Sequence, residues 1–155
     1  MSVRFSTICY IKKDDKYLML FRNKKEKDIN EGKWLGIGGK IESKETPEEG
    51  MIREVKEETG LDVKEYKFHG IVSFFLNEDV TEYMFLYSCS RFEGEVIKEC
   101  DEGELKWVEI SKVPSLPLWE GDKIFLDLMV KDSKPFSLKV VYDGDKLVDY
   151  KLYYL

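Results

Sequence analysis

Gly39-Lys40-Ile41-Glu42-Ser43-Lys44-Glu45-Thr46-Pro47-Glu48-Glu49-Gly50-Met51-Ile52-Arg53-Glu54-Val55-Lys56-Glu57-Glu58-Thr59-Gly60-Leu61 decides how this chain is read. Thr46 precedes Pro47 and two acidic residues, and Glu49 lies three after Thr46. That is an N-cap, a proline at the first helical position and a capping box, with carboxylates at the positive end of the helix. Gly60 is the expected stop. The spacing therefore predicts a helix over 47–59. Met51, Ile52 and Val55 form its apolar stripe for packing on a sheet. Glu54, Glu57 and Glu58 fall at i, i+3 and i+4, on one face. Like charges so placed destabilise an isolated helix by a few tenths of a kcal/mol. A helix rich in Glu, Lys and Arg is ordinarily a solvated face, and Arg53 can pair with Glu57 along it. The preceding Trp34-Leu35-Gly36-Ile37-Gly38-Gly39-Lys40 argues for more, because clustered glycines permit close backbone approach to a ligand. Hard divalent cations take oxygen ligands, commonly one or two carboxylates plus substrate phosphates.

Outward from this segment, residues 3–11 and 17–22 read as a hairpin about Lys13-Asp14-Asp15-Lys16. Residues 23–33 read as a polar loop, and Trp34 to Ile37 as a short buried strand. Residues 62–76 and 81–91 are β-rich around Asn77-Glu78-Asp79, and Leu105 to Ile110 is a further strand. Trp119 to Lys131 reads as a second helix with Ile124, Phe125, Leu128 and Met129 inward. Residues 136–142 and 146–153 form a hairpin around Asp143-Gly144. This mixture suits α/β or α+β, in a single domain spanning 1–155.

Composition narrows the class. With 43% hydrophobic and 14% aromatic residues the chain folds around a core. A net charge of −6 argues against binding a nucleic-acid polymer, which needs Lys and Arg to neutralise phosphates. A small anionic substrate remains compatible, since a bound metal reverses the local field. No apolar run reaches the roughly 18 residues of a membrane span. Cys9, Cys89 and Cys100 show no metal-site spacing, and with no signal peptide read as reduced thiols of a cytoplasmic protein. His69, the one histidine, reads as structural.

The segment 39–61 resembles the Nudix box, G-x5-E-x7-R-E-U-x-E-E-x-G-U with U aliphatic. Gly39, Glu45, Arg53, Glu54, Val55, Glu57, Glu58, Gly60 and Leu61 fill every fixed position. The resemblance implies a hydrolase of nucleoside diphosphates linked to another moiety, an α/β/α sandwich with a mixed sheet, and dependence on a divalent metal, Mg²⁺ with Mn²⁺ as the alternative. It also implies that Glu54, Glu57 and Glu58 divide metal ligation and deprotonation of water, with the Gly38 carbonyl as a further ligand. Family members differ in which acid is the base, and Glu54 is the candidate here. Arg53 is expected to orient the carboxylates through Glu57. Glu45 is expected behind the ligands or as a weaker contact. A further carboxylate outside the box is expected just before a later strand, with Glu102 the first candidate and Glu104 the second. Arg22, Lys24 and Lys25 are candidates for substrate phosphate, against the plain reading of a solvated cluster.

The C-terminal part is similar to MutT-like enzymes that hydrolyse oxidised purine nucleoside triphosphates. There a tryptophan stacks on the purine and an acid just after it bonds the base edge. Trp119 and Asp122 match, although a Trp buries large area in any core. Two departures stand out. Where vertebrate enzymes of that group carry an asparagine that reads the purine, this chain has Leu35, whose side chain forms no hydrogen bond. Where they carry paired aspartates it has Gly121-Asp122. Discrimination for an oxidised base is then expected to be blunted. The substrate alternatives are ADP-ribose and dinucleoside polyphosphates. A non-catalytic nucleotide sensor is disfavoured by the intact box carboxylates. Monomer and homodimer stay open.

Overall fold

The computed structural model describes residues 2–24, 28–97 and 100–155. Among these, strands β1 (Ser2–Lys13), β2 (Lys16–Arg22), β3 (Trp34–Leu35), β4 (Ile37–Lys40), β5 (Asp62–Leu76), β6 (Val80–Glu93), β7 (Gly103–Glu109), β8 (Phe136–Asp143) and β9 (Lys146–Tyr154) join in one mixed sheet. The order is β3-β2-β1-β6-β5-β8-β9, with β4 also on β1 and β7 also on β2. β1 runs parallel to β6 and β5 parallel to β8, while the other pairs are antiparallel. The helices are α1 (Pro47–Thr59) and α2 (Asp122–Val130).

Alternation along the central strands shows that both sheet faces are covered. On β1, Ile8 and Tyr10 join one apolar cluster and Cys9 and Ile11 the other. On β2, Tyr17 and Met19 part from Leu18 and Leu20 in the same way. Successive strand side chains point to opposite faces, so two clusters mean two packed layers. Met51 and Val55 of α1 belong to one, Phe125 and Leu126 of α2 to the other. This is the expected α/β/α sandwich, with strands dominating and helices few.

Thr46 caps α1 as its sequence predicts. Its hydroxyl accepts from the Glu49 N–H at 3.0 Å, and Glu49 accepts from the Thr46 N–H at 2.9 Å. Such a cap stabilises by about 1 kcal/mol. Gly60, at φ 81°, closes the helix by donating to the Lys56 carbonyl. Ile52 departs from the expected stripe, being 38% exposed. The buried face is narrower, made by Met51 and Val55.

The second helix starts at Asp122, three residues after the expected boundary, because Trp119-Glu120-Gly121 forms a turn in which the Asp122 N–H donates to the Trp119 carbonyl. The stretch expected as one strand over 34–37 is two short strands on different partners, β3 on β2 and β4 on β1. A 3-10 turn at Ile110–Ser115 had no expectation attached. His69 is buried with its Nε2 2.6 Å from the Ser88 hydroxyl, and burial pushes its pKa down to about 4. Cys9, Cys89 and Cys100 are free and buried. Among the described residues no helix is long and apolar enough to cross a membrane.

Candidate active site

At Gly38 β4 lies against β1 so closely that a side chain is excluded. A methyl group at Gly38 would stand 1.8 Å from the Thr7 carbonyl oxygen. At Gly39 it would stand 2.6 Å from the carboxyl carbon of Glu54. The glycines therefore let α1 bring its acidic face onto the sheet edge. Arg53 fixes this approach. Its Nε and Nη2 donate to both oxygens of Glu45 at 2.7 and 3.0 Å, and Nη2 also donates to the Lys40 carbonyl at 3.1 Å. Its Nη1 donates to Glu54 at 2.9 Å and to Glu57 at 3.2 Å. Arg53 thus reaches Glu57 as expected, but is gripped more closely by Glu45 and Glu54. Glu45 is itself steadied by the Glu42 N–H at 2.8 Å.

The three box glutamates are not equivalent. Glu57 is 58% exposed on its side chain. Glu54 lines a cavity, and burial raises its pKa against the opposing pull of Arg53. Glu58 is buried, and neither carboxyl oxygen has a hydrogen-bond partner among the described residues. Its pKa is raised, first by burial and then by the Glu102 carboxylate facing it. Two ionised carboxylates offer each other only acceptors, so their proximity satisfies neither.

Glu102 precedes β7 and accepts from Arg22 Nη1 at 2.8 Å, while Arg22 Nε donates to Asp28 at 2.8 Å. Glu104, the second candidate, is turned to Asn23 at 3.2 Å and does not line the cavity. Arg22 does line it, already paired twice. Lys24 Nζ donates to the Cys100 carbonyl at 3.1 Å, away from the cavity. Lys25 lies outside the described residues.

The cavity holds about 290 Å³ and its lining is chemically mixed. Gly38, Gly39, Glu54, Glu102 and Arg22 contribute a polar set, and Leu35, Phe74 and Trp119, with Asp122, a largely aromatic and apolar one. Of the residues proposed from sequence, those eight besides Phe74 meet here. Glu58 lies beneath, pressed by Glu102, whereas Glu57 and Lys24 are set apart. Sequence reasoning missed Phe74 and Met84 on β5 and β6, whose place depends on long-range register. It also missed Asp28, Ile29 and Asn30, in a loop dismissed as polar. Ile29, one apolar residue amid charges, was the available signal.

Among the described residues no three His, Cys, Asp or Glu side chains are gathered as a ready cation cage. Arginines instead occupy the carboxylates, Arg53 on Glu54 and Glu57, and Arg22 on Glu102. The donor set still suits a hard cation. The two orphaned oxygens of Glu58, deep beside a second carboxylate, are what such a cation would satisfy.

Trp119 is only 4% exposed. Phe74 and Tyr142 meet it edge-on at 5.1 and 4.7 Å, Lys33 Nζ lies 4.4 Å from its ring centroid, and its Nε1 donates to Asn30 Oδ1 at 2.8 Å. Its ring is therefore part of the core as well as of the cavity wall. Trp119→Ala is expected to cost about 3–5 kcal/mol by urea denaturation, in the range for truncating a buried aromatic. Asp122 is buried beside it, and burial pushes its pKa up to about 8 against the opposing charge of Lys33.

The glycine cradle, the carboxylate face of α1 and the mixed sandwich define a hydrolase of nucleotide anhydrides. The NUDIX domain family model matches residues 3–129, and the chain belongs to the Nudix family. It is a Nudix pyrophosphohydrolase, of a family that acts on small nucleotide substrates and generally uses divalent metal ions. It is 33% identical over 151 residues to an uncharacterized Nudix hydrolase of Bacillus subtilis, YvcI, covering 94% of this chain and 92% of the relative. It is 31% identical over 129 residues to an oxidized purine nucleoside triphosphate hydrolase of Danio rerio, covering 83% and 82%. A crystal structure of a MutT protein from Bacillus halodurans superposes with a TM-score of 0.86 at 29% identity, covering 96% and 97%.

Proposed function

We propose that this chain hydrolyses purine nucleoside triphosphates, oxidised purines such as 8-oxo-dGTP among them, to the monophosphate and pyrophosphate with Mg²⁺, or Mn²⁺ in its place. The observation that carries the reading is the mixed lining of one cavity, with Glu54 and Glu102 in the same wall as Trp119 and Asp122. Carboxylates that could hold a cation and an aromatic ring in one cavity suit a polyphosphate joined to an aromatic base. The similarity to the Danio rerio hydrolase supports the same substrate class.

In this reading Glu54, Glu58 and Glu102, with the Gly38 carbonyl, hold the cation, and Glu57 joins them only by turning in from Arg53. When bound, it neutralises phosphate charge and lowers the pKa of an attacking water. Glu54, nearest the glycine loop, is the candidate to take the water's proton. Arg53 and Glu45 hold that carboxylate in place. Arg22 reaches phosphate only by loosening from Glu102 or Asp28. The whole chain works as one unit, and the buried thiols accord with a reducing, cytoplasmic setting.

The test is Mg²⁺-dependent hydrolysis across 8-oxo-dGTP, dGTP, dATP, pyrimidine triphosphates, ADP-ribose and diadenosine polyphosphates. Purine triphosphates are expected to lead, with pyrophosphate released and with Leu35 limiting any preference for the oxidised base. Preference for ADP-ribose or dinucleotides would overturn the substrate while leaving the Nudix chemistry intact.

A further inference from the structure

The loop at Asp28–Lys33 carries a group that the reading above leaves unused. Trp119 Nε1 is a donor and nothing else, and it donates to Asn30 Oδ1 at 2.8 Å. That bond settles which way the Asn30 amide faces. Its oxygen must lie toward the indole, so its NH₂ lies on the other side. Asn30 lines the cavity, and among the described residues Nδ2 donates to no protein acceptor. The loop is anchored at this point. The Asn30 N–H donates to Asp28 Oδ1 at 3.1 Å, and Asp28 is held by Arg22. Lys33 bridges from the Trp119 ring to Asp145. The amide is thus held against Trp119 in the cavity lining, with Nδ2 left as its donor.

We propose that Asn30 is a specificity-determining residue whose Nδ2 donates to the 6-carbonyl of a purine base. This rests on the proposed function, since it needs the base beside Trp119. Asn30 would supply the polar contact that Leu35 on β3 lacks, from the loop that precedes that strand. Asp122, which also lines the cavity, keeps an acceptor oxygen in either protonation state. A donor and an acceptor in one cavity lining match in kind the O6 and N1–H edge of a 6-oxopurine. A 6-aminopurine presents a donor at position 6, which an NH₂ cannot satisfy. A site built to bond one group discriminates strongly against the analogue lacking it.

Asn30→Asp tests this. It retains an oxygen for Trp119 while changing the cavity-facing donor to an acceptor. The ratio of kcat/KM for dGTP over dATP is expected to fall at least about tenfold, the factor that 1.4 kcal/mol represents. An unchanged ratio in a variant that melts like the wild type overturns the proposal. The wild-type enzyme supplies a second test that needs no variant. The triphosphate of 2-aminopurine deoxyriboside, which lacks both the 6-carbonyl and the N1–H of dGTP, should be hydrolysed with kcat/KM lowered at least about tenfold. Equal rates would overturn the role of Asn30 and leave purine hydrolysis standing. Hydrolysis of neither purine by wild type, with ADP-ribose cleaved, would instead locate the failure in the substrate reading.

Discussion

Glu58→Gln is expected to abolish turnover while making the metal-free protein more stable. Both effects come from one observation. The Glu58 carboxylate is buried, faces Glu102, and has no hydrogen-bond partner for either oxygen. Leaving such a group unsatisfied costs about 1–3 kcal/mol, and more when it is charged. Glutamine is neutral at every pH, so folding no longer has to bury a charge or take up a proton there, and at nearly constant volume it gives Glu102 an amide donor. Melting without metal should therefore rise, by about 2–4 °C for each kcal/mol regained in a chain of this size. Turnover should fall by more than about 100-fold, beyond the cost of losing an outer partner of a metal ligand. Mg²⁺ is expected to raise the melting temperature of the wild type and to leave that of the variant unchanged. Unchanged turnover would remove Glu58 from the ligand set. A drop in metal-free stability would show that its carboxylate already has a partner. Glu57→Gln should differ informatively. Glu57 is exposed and bonded to Arg53, so its loss should leave metal-free stability nearly unchanged while turnover still falls.

Local chemistry explains what was readable before the fold was known. Thr46, Pro47, Glu49 and Gly60 act within one helix, and each performs the role its position implies. The carboxylate face was legible because i, i+3 and i+4 share a side whatever the tertiary context. Ranking those carboxylates was not legible. Glu54, Glu57 and Glu58 are near neighbours in sequence, yet one lines the cavity, one is exposed and one is buried. Rotation of α1 against β1, β4 and β5 decides that, and no local spacing encodes it. Arg22 shows the same limit. A basic residue at a strand end suggested a phosphate contact, but the partners Asp28 and Glu102 come from six and eighty residues away. The aromatic lining was half legible. Trp119 and Asp122 could be singled out, whereas Phe74 enters through the β5 register and Asn30 through a loop whose charge concealed its role.

Gly38→Ala and Gly39→Ala are expected to fail in opposite ways, although the residues are adjacent. At Gly38 the new methyl would lie 1.8 Å from the Thr7 oxygen and 2.9 Å from the Ile8 Cα, both backbone. Gly38 is paired with Ile8 in the ladder, so relief requires β4 to leave β1. Overpacking typically costs about 1–3 kcal/mol and occasionally more. With backbone as the obstacle, the upper end of about 3 kcal/mol is expected. Gly38→Ala should accumulate poorly and melt early. At Gly39 the atoms nearest the methyl would be those of the Glu54 carboxylate, at 2.6 to 2.8 Å. That group ends a flexible side chain and can swing aside at little cost in stability, under about 1 kcal/mol, as for a substitution without a core clash. Its displacement is nonetheless about the 1 Å that costs on the order of 100-fold in an organised site. Gly39→Ala should therefore fold and melt like the wild type yet lose most of its kcat. Urea denaturation together with steady-state kinetics on both variants separates the two effects. Full activity in Gly39→Ala would mean that the position of Glu54 against β4 is not what organises catalysis.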